Sequence, residues 1–470
     1  MKWLTSLLLL ALVGIASALS AAGSRTLVVL EDEADKDKYS QFWSDLTGRG
    51  FSLTFKSPKD DSLALLRLGE RAYDHVVILP TKSKGLGPNL APQLLVDFIN
   101  KDGNILLALS GESAIPSQVV SVLLEFDIHL PTDRNALTVD HFNYDKTSAA
   151  EKHDVLVVDR PKKQKTGVKN YFSGEGVLAV PHAVGHTLGN DSPQLVPILR
   201  APSTAYVYNP KEDSEAVEDP FAVGEQLALA SAFQGRNSAR LTVLGSAEML
   251  QDAWFDAKVD RNSVKGKTAN REFAKQLTAW AFKEVGVLKV GRLQHFLNEG
   301  AAPAGLNSSD LNVVEHNPKI YRIKNDVTYQ IEISEYVEDH LEPFLPAKGD
   351  AVQLEFSMLS PFHRLELTPL PPSPTHPNST IFTVDFRLPD QHGIFNFRVN
   401  YKRPFLTSLD EKREVTVRHF AHDEYTRSYG ISGAWTWVAG IWVTVAGWLG
   451  FVALWLYSAP RQAGGAKKSQ

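Results

Sequence analysis

Cysteine is absent from all 470 residues of the sequence. Its absence excludes disulfide bonds, a cysteine nucleophile, a redox-active cysteine pair and a thiolate metal site. A strong excess of one charge is missing too, since the formal net charge is −5. A nucleic-acid partner is therefore not expected, because it would require a basic stripe. The domains must be held together by the packing of their cores alone.

A segment near the C-terminus, residues 435–457, contains no charged side chain. As a helix it is roughly 35 Å long, which exceeds the hydrocarbon core of a bilayer at about 30 Å. We therefore predict a transmembrane helix within residues 432–458 and a cytosolic tail over residues 459–470. Lys467 and Lys468 lie fourth and third from the end of the tail. This placement resembles the dilysine signal that returns type I membrane proteins to the endoplasmic reticulum.

The predicted membrane helix carries small residues on one face. Ala439, Ala446, Gly450 and Ala453 recur at helical spacing, and small residues let a second helix approach closely. We predict that this face packs against a helix of another membrane protein. The alternative is a lone anchor in which the small residues are incidental.

The N-terminus has the layout of a secretory signal peptide, with Lys2, an apolar run and small residues up to Ala18. We predict a signal segment over residues 1–22, cleaved near Ala18 or Ala22. A retained anchor is the alternative, and the shortness of the apolar run argues against it. The region between the two ends is then lumenal, and the protein is a single-pass type I membrane protein of the endoplasmic reticulum.

Three Asn-X-Ser/Thr sequons agree with a lumenal location, at Asn190, Asn307 and Asn378. Asn378 is the best glycosylation candidate, because it follows a proline-rich stretch and has Thr at the third position. Asn307 also lies in a loop-like segment.

Residues 23–286 alternate between strand-like and helix-like segments. Strand patterns occur at residues 27–30, 51–55, 75–79, 105–109, 155–158, 227–233 and 241–244, and helical patterns at residues 39–46, 62–68, 92–100 and 270–283. Such alternation predicts an α/β domain with a parallel sheet covered on both faces, flavodoxin-like or related. We expect Asn270 to cap the last helix.

Residues 287–428 lose the helical pattern and show only short alternating segments. These lie at residues 328–333, 352–356, 381–385, 395–401 and 415–417, with a turn cluster at residues 389–393. The pattern predicts an antiparallel, β-sandwich-like domain next to the membrane.

Loops that follow parallel strands are the usual ligand sites of α/β sheets. The acidic run at residues 31–33 is interpreted as a solvated loop rather than a cation site. Gly85 and Gly87 lack the remainder of a phosphate-binding motif. Ser113 stands where related hydrolases hold a nucleophile, but the closing glycine of the nucleophile elbow is missing.

Two further patterns have a functional and a structural interpretation. His182 and His186 have the spacing of zinc ligands on a helix, but Pro181 and Gly185 oppose a helix there. Residues 140–145 (DHFNYD) are polar and aromatic, and a structural loop is favoured over a sugar-binding or partner-binding one. Neither pattern supports a catalytic, cofactor-binding or metal site, so the sequence favours a scaffold or binding role.

Several blocks of the sequence resemble the oligosaccharyltransferase beta subunit family, which supplies the 48-kDa subunit of that complex. The blocks are WAFKEVGVLKVG at 280–291, QLEF at 353–356 with PFHR at 361–364, LPDQHGIFNF at 388–397 with VNY at 399–401, DHFNYD at 140–145 and FINKDGN at 98–104. Asn104 departs from the pattern, since some relatives have a glycine there. The resemblance covers nearly the whole chain.

The resemblance implies a non-catalytic subunit of the endoplasmic reticulum complex that transfers a preassembled glycan from dolichol diphosphate to Asn of Asn-X-Ser/Thr acceptors. It implies a catalytic, metal-dependent multi-pass subunit and other membrane subunits as partners. It supplies no catalytic, cofactor-binding or metal residue of this chain. Contact between the α/β region and the dolichol-linked glycan donor is a further hypothesis.

Two other functions remain open from the sequence. A cargo receptor that cycles to the Golgi would use the same dilysine tail. A membrane-tethered lumenal hydrolase would require Ser113 or His186.

Overall fold

A computed structural model describes residues 19–458, except 84, 134, 162–167, 210–219, 262–263, 299–315, 360–361, 372–376 and 425–433. Most of the predicted signal segment, Asn307, Lys467 and Lys468 therefore lie outside the described residues.

A seven-stranded sheet forms the centre of the N-terminal region. Its strands, in chain order, are β1 (Arg25–Val29), β2 (Ser52–Lys56), β3 (His75–Ile78), β4 (Asn104–Ala108), β5 (Leu195–Arg200), β6 (Ala228–Gln234) and β7 (Arg240–Leu244). Their spatial order is β5-β6-β7-β4-β3-β1-β2. Six of the seven lie at or within a few residues of a sequence pattern that predicts a strand, and no strand was predicted at β5.

The sheet is mixed rather than purely parallel. Strands β2, β1, β3, β4 and β7 are parallel, whereas β6 and β5 are antiparallel to their neighbours. The prediction of a parallel sheet is thus wrong for the two pairings of β6, the reversed strand, whereas β5 has the same direction as β7 and the other parallel strands. The flavodoxin-like assignment stays a prediction. The cause is local: a tight turn in which Gly235 N–H donates to Ala239 O joins β6 to β7. A connection this short can join only antiparallel strands.

Helices cover both faces of this sheet, as the strand-helix alternation predicts. The α-helices are α1 (Ser40–Gly48), α2 (Pro92–Asn100), α3 (Ser117–Glu125), α4 (Asp252–Phe255), α5 (Asn270–Ala281) and α6 (Ala434–Tyr457). Short 3-10 helices lie at Glu33–Tyr39, Pro88–Leu90, Gly224–Gln226, Ala247–Leu250 and His422–Glu424. Helices α1 and α5 pack on one face of the sheet and α2 and α3 on the other, each pair over its own buried apolar cluster.

Two local predictions are wrong. The segment at residues 62–68 is not a helix, because Leu68 and Gly69 adopt positive φ angles of 50° and 83° and form a tight turn between Leu66–Arg67 and Glu70–Arg71. Asn270 does not cap α5. Its side chain is buried and exchanges hydrogen bonds of 3.0 and 2.8 Å with the backbone of Ala179.

Four more two-stranded ribbons surround the sheet. They pair Ile128–His129 with Thr187–Leu188, Leu137–Val139 with Tyr206–Tyr208, Val155–Asp159 with Val177–Pro181, and Lys258–Arg261 with Val264–Lys267. The strand predicted at residues 155–158 therefore exists but lies outside the main sheet.

The C-terminal lumenal region consists of two five-stranded sheets around one buried apolar core. Its strands are β8 (Val287–Leu297), β9 (Ile320–Arg322), β10 (Asp326–Val337), β11 (His340–Pro343), β12 (Gln353–Ser357), β13 (Phe362–Glu366), β14 (Thr368–Pro369), β15 (Thr380–Arg387), β16 (Gly393–Tyr401) and β17 (Leu409–Arg418). One sheet has the order β8-β10-β15-β14 with β11 beside β10, and the other β9-β17-β16-β12-β13. Every pairing is antiparallel except β9–β17. The predicted sandwich-like pattern therefore agrees with the fold.

The turn between α5 and β8 joins the two regions through main-chain contacts. The buried guanidinium of Arg240 donates to the carbonyl oxygens of Trp280, Val285 and Gly286. The indole N–H of Trp280 donates to Phe405 O at 2.8 Å, in the loop before β17. Gly286 has a φ of 70°, and a Cβ there would lie 2.5 Å from Phe405 O. This position therefore requires glycine.

Helix α6 is the one helix among the described residues that is long and apolar enough to cross a membrane. None of its side chains is buried. Its bounds agree with the span predicted from the uncharged run.

Candidate functional site

The acidic loop after β1 is tied to the loop after β3. The carboxylate of Glu31 accepts hydrogen bonds from Lys82 N, Ser83 N and Ser83 Oγ, and Lys82 Nζ lies 2.9 Å from Asp32. Burial acts to raise the pKa of Glu31, but these hydrogen bonds outweigh it and lower the pKa. Glu31 and Asp32 thus have partners within the protein, and Glu33 begins a 3-10 helix. The interpretation of the run as a solvated loop rather than a cation site stays a prediction.

The residues that a hydrolase would require are not brought together as a nucleophile and its base. His186 is fully buried and bonds through Nε2 to Ser231 Oγ at 2.7 Å. Ser113 instead lines a small cavity of about 20 Å³ at the carboxyl ends of β3 and β4. Substrate access to the His186–Ser231 pair would require the fold to open.

His182 and His186 do not form the zinc pair that their spacing allowed. His186 faces β6, whereas His182 faces Glu112 and Asp154. His182 follows the ribbon strand Val177–Pro181 and has a positive φ of 42°. Its backbone is held on both sides, because His182 N donates to Asp154 O and His182 O accepts from Gly111 N.

A cluster of three side chains meets at the carboxyl ends of β4 and β7. Ligand atoms of Glu112, His182 and Glu248 all lie within 4.8 Å of one another. His182 Nδ1 is 3.5 Å from Glu112 Oε1, and His182 Nε2 is 3.6 Å from Asp154 Oδ2. The sequence analysis missed this cluster because its members are far apart along the chain. The signal available was that Glu112 and Glu248 each follow a predicted strand within a few residues.

Glu248 is the buried member of the cluster. It accepts hydrogen bonds from the hydroxyls of Ser110 and Ser246, the latter at 3.2 Å. Burial raises the pKa of Glu248, while the bond from Ser110 and the nearness of His182 oppose that rise. Glu112 is exposed and lies at the open side. These residues offer one imidazole nitrogen and two carboxylates to a cation.

The loop at residues 140–145 is organised by its own aspartate. The buried carboxylate of Asp140 accepts from the backbone N–H groups of Phe142 and Asn143 and from Thr204 Oγ1. Exposed polar and aromatic side chains lie around it. His141 bonds to Tyr206 Oη at 2.9 Å, and Phe142 is 65% exposed. The structural interpretation agrees with the contacts of Asp140, and most of the Phe142 side chain lies on the surface of the loop.

A broad groove of about 1270 Å³ runs from this loop along the edge strand β5. Asn143, Asn190, Ser192, Arg200 and Arg261 contribute polar groups to its lining. The volume exceeds that of ordinary small-molecule sites, at roughly 300–1000 Å³. A ligand the size of several sugar rings would fit.

Two of the three sequons lie in the described residues, and both asparagines are exposed. Asn190 Nδ2 donates to Asp127 Oδ2 at 2.5 Å. Asn378 precedes β15, in which Thr380 is buried. Glycosylation at Asn378 and Asn190 stays a prediction, as it does for Asn307.

On α6, Ala439, Ala446, Gly450 and Ala453 fall on one side of a regular helix. A Cβ added at Gly450 would meet no atom within 4 Å. This face has room for a neighbouring helix, and the predicted helix contact there stays a prediction.

Comparisons with known proteins match nearly the whole chain. The family model described as "OST48, N-terminal domain" matches residues 17–284, and that described as "OST48 middle domain" matches residues 309–459. The Schizosaccharomyces pombe dolichyl-diphosphooligosaccharide–protein glycosyltransferase subunit wbp1 is 31% identical over 94% of this chain and 94% of its own. The 48 kDa subunits of the same enzyme are similar. The Danio rerio subunit is 32% identical over 86% of this chain and 85% of its own length. The Caenorhabditis elegans subunit is 31% identical over 99% of this chain and 98% of its own length.

Proposed function

Because the chain belongs to the OST48 family, we propose that it serves as a non-catalytic subunit of the oligosaccharyltransferase complex of the endoplasmic reticulum membrane. In this role it supports the transfer of a preassembled glycan from dolichol diphosphate to Asn of Asn-X-Ser/Thr acceptors. The observation that carries the proposal is the end-to-end similarity to relatives named as subunits of this transferase.

The membrane arrangement that goes with this function is type I. The proposal places residues 23–428 in the lumen, α6 in the bilayer and residues 459–470 in the cytosol. Lys467 and Lys468 would then serve as the retrieval signal. The apolar, unburied surface of α6 supports a bilayer location.

The proposed partners are the catalytic multi-pass subunit and other membrane subunits of the complex. The small-residue face of α6 is the proposed contact within the bilayer. Close helix approach at such a face gains van der Waals contact, and a side chain with a large volume would block it.

Purification of the tagged protein in a mild detergent, with mass spectrometry of the proteins that accompany it, tests this function. We expect a stoichiometric multi-pass glycosyltransferase. We further expect Gly450→Leu to lower the amount of this glycosyltransferase that is recovered with the tagged protein about tenfold. This factor corresponds to about 1.4 kcal/mol of lost helix packing. Thr444→Leu, on the other side of α6, is the matched control and should leave recovery unchanged.

Two results would count against this function, and a third would count against the helix contact alone. A protein recovered alone, or with vesicle coat and cargo proteins, would favour the cargo receptor. Full recovery with Gly450→Leu would remove the helix face as a contact while leaving complex membership intact. Loss of cellular function on Ser113→Ala with the complex intact would favour the hydrolase.

A second role within the same complex is to position the glycan donor. The groove along β5 has the volume for it. Its lining includes Asn143, and the preceding residue, Phe142, is 65% exposed and carries an aromatic ring of the kind on which sugar rings stack. Asp140 is unsuited to donor binding, because its carboxylate is already occupied within the loop.

Donor positioning predicts that Phe142→Ala raises the KM of the purified complex for the dolichol-linked glycan about two- to twelvefold and leaves kcat unchanged. The size follows from the loss of one aromatic contact, at about 0.5–1.5 kcal/mol. Steady-state kinetics with varied donor measures it. Phe362→Ala, at an exposed position in β13, is the control. Equal KM values for the two variants would contradict donor contact at this loop.

A further inference from the structure

We propose that Glu112, His182 and Glu248 form a binding site for one divalent transition-metal ion, with zinc as the best fit. The three ligand atoms already converge within 4.8 Å. Two ligands of one tetrahedral zinc ion lie roughly 3.4 Å apart, given bond lengths of about 2.0–2.2 Å. The separation of 3.5 Å between His182 Nδ1 and Glu112 Oε1 matches this. Glu112 is exposed, so its side chain can close the remaining distance.

The orientation of His182 is that of a metal ligand. Its Nε2 faces the carboxylate of Asp154, while its Nδ1 is buried and has no hydrogen-bond partner. Metal-binding histidines usually direct their second nitrogen toward a carboxylate or carbonyl, which fixes the ring and the tautomer. A buried nitrogen without a partner costs free energy, and a metal bond at Nδ1 would remove that cost.

The negative charge of the carboxylates around the cluster also favours a bound cation. Glu112, Asp154 and Glu248 surround a single imidazole, and Glu248 is only 8% exposed. Its hydrogen-bond donors are the uncharged hydroxyls of Ser110 and Ser246. Within the part of the chain that the structure describes, no Lys or Arg forms an ion pair with any of these three carboxylates. A buried carboxylate without a counter-ion is unfavourable, and a bound divalent ion supplies one.

The ligand set selects the class of metal. One imidazole nitrogen and two carboxylates suit zinc or a similar transition metal, whereas calcium and magnesium prefer oxygen ligands alone. Three protein ligands leave a coordination position for water or for an oxygen of another molecule. The ion would join the loops after β4 and β7 to the ribbon strand that ends at Pro181. The site thus lies at the ligand-binding edge of the sheet, and it departs from the sequence-based expectation of no metal site.

Zinc titration of the full-length protein in detergent tests the proposal. The protein is purified with a tag that contains no histidine, stripped with a chelator and dialysed against buffered Zn²⁺, and bound metal is measured by mass spectrometry. We expect one ion per chain at micromolar free zinc.

Glu112→Gln should weaken zinc binding at least about 100-fold. Asp154→Asn, which changes only the residue that faces the second nitrogen of His182, should weaken it about 10- to 100-fold. His182→Asn should also abolish binding, and Asn tolerates the left-handed backbone there.

Two histidine variants control for other zinc sites. His340 lies between Asp339 and Glu342 on the surface, and His141 faces His153. His340→Gln and His141→Gln should leave the affinity and the stoichiometry unchanged. Because Glu112 is exposed, Glu112→Gln should also melt like the wild type when metal is absent, which separates lost ligation from lost folding. The proposal is overturned if the wild type binds no zinc below about 100 µM, or if Glu112→Gln binds as tightly as the wild type.

Discussion

Trp280→Ala is expected to lower the free energy of unfolding by about 3–5 kcal/mol, the range for removal of a large buried aromatic side chain. Trp280 is fully buried and packs edge-on against Phe405, with ring centroids 5.8 Å apart. The guanidinium of Arg240 lies 4.6 Å from the indole ring. Truncation leaves a cavity and removes the hydrogen bond to Phe405 O. Chemical denaturation of the detergent-solubilised protein measures the loss. Unfolding is monitored by far-UV circular dichroism, which reports on the backbone and not on the tryptophan that is replaced.

Trp280→Phe is the matched variant for this position. It keeps most of the ring volume but lacks the indole N–H, so only the bond to Phe405 O is lost, at about 1–2 kcal/mol. We expect Trp280→Ala also to make the turn at residues 282–286 sensitive to protease, because the contact between the two lumenal regions is weakened. An unfolding free energy of Trp280→Ala within 1 kcal/mol of the wild type would show that Trp280 does not hold the regions together, whereas equal losses for the two variants would assign its effect to the hydrogen bond with Phe405 O.

Acidification from pH 7 to pH 5 is expected to destabilise the N-terminal region by about 2 kcal/mol for each of two buried histidines. Burial lowers the pKa of His75 and of His186 to about 4, against about 6.5 in an unfolded chain. Between these values the unfolded chain binds a proton that the folded chain does not, so stability falls as the pH falls. The loss begins as the pH drops through 6.5 and levels off below about 4.

The contacts of His75 explain why its ring stays neutral in the folded protein. One ring nitrogen faces Gly23 O at 3.0 Å and the other faces the amide of Asn104 at 3.2 Å, so the neutral ring satisfies both partners. Asp74 favours the charged form, and Lys283 and Arg71 oppose it, each by less than burial does. His186 is held in the same neutral state against Ser231.

Comparison of variants separates the histidines from the carboxylates that titrate in the same range. Unfolding measured at pH 5, 6 and 7 should show a smaller pH dependence of the unfolding free energy for His186→Gln than for the wild type, by the roughly 2 kcal/mol expected for one buried histidine. His363→Gln, at an exposed position in β13, should leave the pH dependence unchanged. The same slope in His186→Gln and the wild type would rule out a buried neutral His186 as its source.

Strands and the final lumenal helix could be predicted because their patterns are local. Helix α2 was predicted at its observed bounds, and the start of α5 at its observed residue. The direction of β6 could not be read from its composition, because a buried antiparallel strand has the same apolar run as a parallel one. The turn at Leu68 and Gly69 was missed because Leu63 and Leu66 are three residues apart, a spacing that is compatible with a helix.

The candidate metal cluster is beyond the reach of sequence reasoning for a different reason. His182 meets Glu112 and Glu248 only because a ribbon outside the main sheet returns to the carboxyl ends of β4 and β7. That pairing depends on contacts between distant residues, which no local pattern records. The four-residue spacing of His182 and His186 was the pattern that suggested zinc ligands, yet the His186 side chain is buried against Ser231.

The Arg240 contacts have a consequence for how the turn after α5 can change in evolution. Arg240 and Trp280 bind carbonyl oxygens of the turn and of the loop at Phe405, and main-chain atoms are the same for every residue type. Many side chains can therefore be exchanged in this turn without loss of those bonds. An inserted or deleted residue would displace the carbonyls of Val285 and Gly286 from the guanidinium. The length of the turn is therefore constrained by these bonds, and residue identity is constrained as well at Gly286 and at the buried Phe282 and Glu284, the latter paired with Arg49.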